Sequence, residues 1–132
     1  MDQTLKLKLK DFSKALKGLN EALGKGKSDL VRDSVIKRFE YNFELCWKTT
    51  KVLLYEKFGK DVFSPKECFR ELLRNHLLED TDVELLLRMT NDRNEIVHSY
   101  DEKFAEKIYS RIKKDYYPIL KKLNEVIRKN IK

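Results

Sequence analysis

The sequence is poor in the residues that make tight turns and in those that bind metals. It has four glycines, two prolines, two cysteines and two histidines in 132 residues. Few glycines and prolines leave few places for tight turns. Cys46 and Cys68 show neither the CxxC nor the Cys/His spacing of a zinc site. We therefore expect no metal and no cofactor, and both cysteines to be buried, reduced thiols of a cytoplasmic protein.

Several longer signatures are absent as well. The chain has no signal-peptide segment and no apolar run long enough to cross a bilayer, so we expect no membrane association. It also has no P-loop, no GxGxxG fingerprint and no GxSxG motif. These absences exclude the common nucleotide-binding loops and the nucleophile elbow of hydrolases.

Lys, Glu, Leu and Arg dominate the composition, which is typical of long amphipathic helices. Apolar residues recur at steps of three and four in segments that Ser28 and Ser64 cap and in one that starts at Asp80. Pro118 interrupts the last segment and should kink it, because it removes a backbone hydrogen bond. We predict an all-α fold, an up-and-down four-helix bundle with an additional short helix, forming a single domain over residues 1–132.

The second predicted helix, which runs from Ser28 to Gly59, is apolar on more than one side. A helix of this kind usually has two neighbours. One neighbour would be its own bundle and the other a second subunit, which predicts a homodimer, although core packing alone could use most of these residues.

The charge is unevenly distributed. Residues 103–132 carry ten Lys or Arg and three acidic residues, which accounts for the whole net charge of +7. A basic segment favours a polyanionic or acidic partner. A solvated helix face explains the same charge without any partner.

The polar stretch from Arg93 to Tyr100 carries the most informative chemistry. Arginine clamps phosphates, histidine transfers protons near neutral pH, and a phenol offers a hydroxyl. On one helix, Arg93 and His98 are rotated by about 140° and separated by about 7.5 Å of rise. They would meet one phosphate only where the helix ends between them or where they line a cleft from different sides.

A metal-independent ribonuclease would use Arg93 to stabilise phosphate charge and an imidazole to move protons. One imidazole can hardly be both base and acid, and a two-fold dimer would supply a second His98. Each residue also has an ordinary structural alternative: a surface ion pair for Arg93, a helix-terminal position for His98, and core packing for Tyr100. His76 has no partner pattern, and we expect it to be structural.

Three segments together carry a resemblance to a known family: "RFEYNFELCWK" at residues 38–48, "SPKE" at 64–67 and "DRNEIVHSYDE" at 92–102. They resemble the nucleotidyltransferase substrate-binding proteins of the HEPN superfamily, in order and over nearly the whole chain. The resemblance implies a dimerising helical bundle whose partner is a separately encoded minimal nucleotidyltransferase.

In related toxin–antitoxin pairs, the R-x4-H-x-Y motif is the active site of a metal-independent RNase that the nucleotidyltransferase silences by adenylylating the tyrosine. By position, the resemblance implies that Arg93 and His98 are catalytic or contact a nucleotide or RNA, and that Tyr100 is the modified acceptor. Asp92 and Asn94 would support phosphate binding. Two functions follow as alternatives: a binding subunit of the nucleotidyltransferase, or an endoribonuclease toxin that this partner controls. A plain dimerisation protein with a vestigial motif is the third.

Overall fold

The prediction of an all-α fold is confirmed by the computed structural model, which describes residues 2–98 and 100–131. Within these ranges every regular element is helical: α1 (Asp2–Leu23), α2 (Asp29–Phe58), α3 (Pro65–Arg74), α4 (Asp80–His98), α5 (Glu102–Arg111), a π-helical turn (Ile112–Tyr116) and α6 (Tyr117–Lys129). The predicted last helix is thus α5, the π-helical turn and α6 in series, and α3 is the additional short helix.

The caps expected from the sequence are present at the two serines. The Ser28 hydroxyl accepts the backbone N–H of Val31 at 3.1 Å and starts α2. The Ser64 hydroxyl accepts the N–H of Glu67 at 3.2 Å, ahead of proline at the first turn of α3. Gly59 ends α2 with a left-handed backbone (φ 66°), which glycine adopts without steric cost.

Where the sequence predicts a kink at Pro118, the structure has a π-helical turn that ends two residues before the proline. The Tyr117 N–H bonds the carbonyl of Ile112, five residues back rather than four. Pro118 has no N–H to donate, and its ring crowds the preceding turn. The wider turn lets the helix continue past the proline instead of ending there.

Helix α2 is the centre of the bundle and packs against each of the other five helices. Phe39 on α2 stacks on Tyr116 of the π-helical turn at 5.6 Å between ring centres. Phe43 meets the edge of Phe69 on α3 at 6.3 Å. Because helices of the same chain cover the apolar sides of α2, its two-sided pattern does not itself require a second subunit.

Polar contacts fasten α2 to α1 within the segment 38–48. Asn42, which is fully buried, donates its amide to the Ala15 carbonyl at 3.0 Å and to the Arg38 carbonyl at 2.9 Å. Arg38 donates to the Gly18 carbonyl at 2.6 Å. The bonds to the Ala15 and Gly18 carbonyls fix the position of α2 beside α1.

In the described part of the chain, no helix combines the length and the apolarity that a bilayer crossing needs.

Candidate functional site

Arg93 and His98 lie on the last two turns of α4, which continues without a break to His98. The possibility that the helix ends between them is therefore excluded, and the two side chains leave one helix about 140° apart. Ser99 lies outside the described residues. Tyr100 lies in the short connection to α5, where the Asp101 carboxylate caps the helix by accepting the N–H of Phe104 at 2.8 Å.

Arg93 faces α2. Its Nη2 atom lies 3.2 Å from Oε2 of Glu44, and its guanidinium carbon lies 5.5 Å from the centre of the Phe43 ring. The side chain is 28% exposed. Its Nε atom is buried and has no hydrogen-bond partner within the described residues. Arg93 is thus a cation held against an aromatic face with part of its donor capacity unused.

His98 is exposed at the end of α4, and no hydrogen bond or ion pair joins it to the described residues. Its neighbour Val97 is also exposed, at 63%. An imidazole in this position is accessible to a ligand or to a second chain. The other histidine, His76, lies at the end of α3, where its left-handed backbone (φ 60°) is part of the turn.

The hydroxyl of Tyr100 donates a hydrogen bond to Oδ1 of Asp33 on α2 at 3.0 Å. Burial raises the pKa of this phenol, and the bond to Asp33 raises it further. The side chain is nevertheless 49% exposed. Tyr100 is therefore a protonated, oriented phenol that solvent and a partner can reach.

Arg32 orients the Asp33 carboxylate through a hydrogen bond. Its Nε atom donates to the same Oδ1 at 3.1 Å, and its Nη1 donates to Glu106 of α5 at 3.0 Å. Glu106 also bonds Lys27, and the bonds to Lys27 and Arg32 lower the pKa of this carboxyl. The Glu106 carboxylate in turn raises the pKa of the buried Arg32. The network joins α2 to α5 directly beneath Tyr100.

Asp92, predicted to support phosphate binding, faces the core instead of the surface. It is 8% exposed and accepts bonds from Nη1 of Arg111 at 2.8 and 2.9 Å and from the Tyr116 hydroxyl. Tyr116 in turn accepts a bond from Arg88 at 3.1 Å. The Asp92 oxygens are thus used within the chain, where they hold α4 against the π-helical turn. Asn94 is exposed, and its predicted role stays a prediction.

One side of α2 lies against the motif, a feature that was not predicted from the sequence. Asp33, Lys37, Glu40 and Glu44 follow one another at helical spacing on this side, and all four are exposed or half-buried. Tyr100 meets Asp33 and Arg93 meets Glu44, two points about 16 Å apart along the helix. The signal available in the sequence was a charged stripe on a long helix otherwise rich in apolar residues.

Comparison with solved structures shows which other proteins have this fold. Helical proteins of toxin–antitoxin systems share this fold: a tri-AMPylated HEPN toxin of Shewanella oneidensis in complex with an MNT antitoxin superposes with a TM-score of 0.79 at 20% identity, covering 98% of this chain and 99% of that one. A toxin–antitoxin structure with AMP-PNP gives 0.78 at 19% identity, covering 97% and 98%.

The particular family is given by sequence. Residues 7–129 match the model of the nucleotidyltransferase substrate binding protein like family, and the chain belongs to it. A crystal structure of a Thermus thermophilus protein is 36% identical, with a TM-score of 0.82 over 89% of this chain and 98% of that one. No protein of curated function matches the sequence significantly.

Proposed function

We propose that this chain is the helical partner subunit of a separately encoded minimal nucleotidyltransferase, with a site for a nucleotide or RNA phosphate at Arg93 and His98. The family match over residues 7–129 carries the proposal. It is supported by the partly exposed side chain of Arg93, whose buried Nε atom has no hydrogen-bond partner among the described residues, and by the exposed imidazole of His98. Arginine and histidine together provide a fixed charge and a titratable proton donor for a phosphate.

A homodimer is part of this proposal. Arg93 and His98 diverge on one continuous helix, so a single chain does not aim both side chains at one phosphate. Two-fold pairing next to the exposed Val97 would place the motif of one chain beside that of the other. Each cleft would then have two imidazoles, one able to accept a proton and the other to donate one.

Tyr100 is the proposed point at which the nucleotidyltransferase acts on this chain. Its hydroxyl is oriented by Asp33, and half of its side chain is exposed. The Shewanella oneidensis toxin of the same fold is AMPylated and bound to an MNT antitoxin. An adenylyl group on Tyr100 would put an anionic phosphate at the motif and exclude RNA from it.

Co-expression with the product of the adjacent gene, which the proposal expects to be a minimal nucleotidyltransferase, tests the proposal. We expect the two proteins to co-purify and the intact mass of this chain to increase by one or more AMP units. Tyr100→Phe should lose the adduct, and Tyr41→Phe, which changes another exposed tyrosine, should keep it. An adduct of full yield on Tyr100→Phe would reject Tyr100 as the acceptor.

The second function is a metal-independent endoribonuclease that the same modification silences, and the partial exposure of Arg93 and the exposure of His98, both available to the proposed dimer cleft, favour it. The ribose 2′-hydroxyl would attack the adjacent phosphorus, and the bond from phosphorus to the 5′-oxygen would break. One His98 of the dimer cleft would take the 2′ proton and the second copy's His98 would protonate the leaving 5′-oxygen, while Arg93 stabilises the charge on the phosphorus oxygens. With a chelator present, His98→Ala should lower the cleavage rate by about 100-fold or more, and His76→Ala should leave it unchanged. Equal cleavage by wild type and His98→Ala would reject this function.

A further inference from the structure

Asp33 is the one carboxylate that contacts the hydroxyl of Tyr100 among the described residues. The bond length of 3.0 Å places its Oδ1 where a phenolic proton is received directly. The bond joins positions 67 residues apart in the chain, so it is produced by the fold and not by local turn geometry. The functions proposed above give Asp33 no chemical role beyond orienting the phenol.

We infer that Asp33 is a catalytic residue that the modified chain itself supplies: it accepts the phenolic proton when Tyr100 is adenylylated. The inference rests on the proposed modification of Tyr100. The Tyr100 oxygen attacks the α-phosphorus of ATP, the new bond between oxygen and phosphorus forms, and the bond to the β-phosphate oxygen breaks. Pyrophosphate leaves, and the phenolic proton passes to the Asp33 carboxylate and from there to water.

The surroundings of Asp33 suit this step. Arg32 donates a hydrogen bond to Oδ1 of Asp33 and thereby orients this carboxylate. The proton acceptor is therefore already in position beside the Tyr100 hydroxyl before the reaction begins. Arg32 is itself held by Glu106, which limits the movement of the whole group. The phenol loses its proton readily only once its oxygen bonds to phosphorus, because that bond withdraws electrons from it. A carboxylate already in hydrogen-bond contact therefore suffices as the acceptor.

The other charged groups near Tyr100 do not compete for the role. Arg32 is a permanent cation, and Glu40 influences the phenol through its charge but makes no hydrogen bond to it. His98 makes no hydrogen bond to the hydroxyl either. The exposed part of Tyr100 leaves access for ATP while the bond to Asp33 stays in place.

The test measures the rate at which the proposed nucleotidyltransferase partner transfers AMP from ATP to the purified full-length chain, followed by intact mass. Asparagine at position 33 still accepts the hydrogen bond from Tyr100 but does not take up its proton. We expect Asp33→Asn to lower the maximal rate by about 100-fold with little change in the concentration of chain that gives half of that rate. Asp33→Glu, which restores a carboxylate, should regain part of the rate.

Asp29→Asn is the matched control. A carboxylate oxygen of Asp29 lies 3.5 Å from Nη1 of Arg32, and the substitution removes the same negative charge from a residue that makes no hydrogen bond to the Tyr100 hydroxyl. This variant should react at the rate of wild type. Thermal unfolding of every variant shows whether a loss of rate reflects a loss of structure.

The outcomes separate the role of Asp33 from the modification on which it rests. If wild type is modified at Tyr100 and Asp33→Asn reacts equally fast, the inference about Asp33 is wrong and the proposed modification stands. An equal loss in Asp29→Asn and Asp33→Asn would also overturn it, because charge near Arg32 would then explain the effect. If wild type acquires no AMP, or acquires it at another residue, the modification of Tyr100 is wrong and the role of Asp33 fails with it.

Discussion

Arg93 on α4 is paired with Glu44 on α2, with 3.2 Å between Nη2 and Oε2. Both side chains are about one third exposed, so the pair is accessible to solvent. An anionic ligand that binds Arg93 has to compete with this carboxylate. Partly exposed pairs of this kind contribute about 0.2–1 kcal/mol, which a phosphate can replace.

Glu44→Gln should therefore strengthen phosphate binding. Removing the competing charge is expected to lower the dissociation constant for AMP about two- to fivefold, as measured by isothermal titration calorimetry. Arg93→Ala should weaken the same binding. Glu84→Gln, an exposed substitution earlier on α4, removes one negative charge away from the motif and serves as the control. Equal affinities for wild type, Glu44→Gln and Arg93→Ala would place the phosphate site elsewhere.

Tyr116→Phe should destabilise the bundle without disturbing its aromatic stacking. The hydroxyl of this fully buried tyrosine donates to Asp92 and accepts from Arg88, and both bonds are lost in the variant. We expect the free energy of unfolding in urea to fall by about 1–3 kcal/mol, because buried polar groups lose a partner. Tyr117→Phe, next in the chain and half-buried, should change it by less than about 0.5 kcal/mol. Equal stabilities for the two variants would contradict a stabilising role of the network.

The ion pairs of Glu106 should make stability depend on pH in the acidic range. Its pKa is lowered in the folded chain, so its contribution is complete above the ordinary glutamate value of about 4.3 and is lost as the pH falls through the lowered value. The stability difference between wild type and Glu106→Gln should be constant from about pH 7 to 5 and should shrink toward about pH 3. Denaturant unfolding at several pH values measures it, with the exposed Glu125→Gln as the control. A difference that grows on acidification would have the wrong sign.

Val97→Asp should weaken self-association if the dimer forms beside the motif. Val97 is 63% exposed directly before His98, and a buried carboxylate at an apolar interface costs several kcal/mol. The dissociation constant of the dimer from sedimentation velocity should rise at least about tenfold. Leu7→Asp introduces the same charge at a leucine that is 56% exposed on α1, and it should leave the dimer intact. A wild-type chain that sediments as a monomer at all concentrations would reject the dimer.

The fold was predictable because its signals are local. Ser28, Ser64 and Pro65 start helices through contacts within three or four residues, and these contacts depend on residue type alone. The helix periods of the core follow from the same short-range spacing. The all-α bundle and most helix boundaries could therefore be derived from residue types and their spacing.

The surroundings of the motif could not be derived in this way. The partners of Arg93, Tyr100 and Asp92 are Glu44, Asp33 and Arg111, which lie on other helices. Which of several surface acids meets Arg93 or Tyr100 depends on the rotation of α2 against α4, and the packing of the whole core sets that rotation. The burial of Asp92 has the same origin, because Arg111 and Tyr116 approach it from helical segments that come later in the chain.

The π-helical turn at Ile112–Tyr116 has a consequence for how the length of this chain can vary. A turn closed over five residues contains one residue more than a turn of α-helix, and both flanking helices still point their apolar sides at the core. In a relative without proline at this position, one residue fewer within the turn would leave α6 in phase with α5, as an ordinary α-helical turn would replace the wider one. A one-residue deletion a few residues later would rotate the rest of α6 by about 100° and turn its leucines and isoleucines toward water. Single-residue gaps between relatives are therefore expected to fall within this turn.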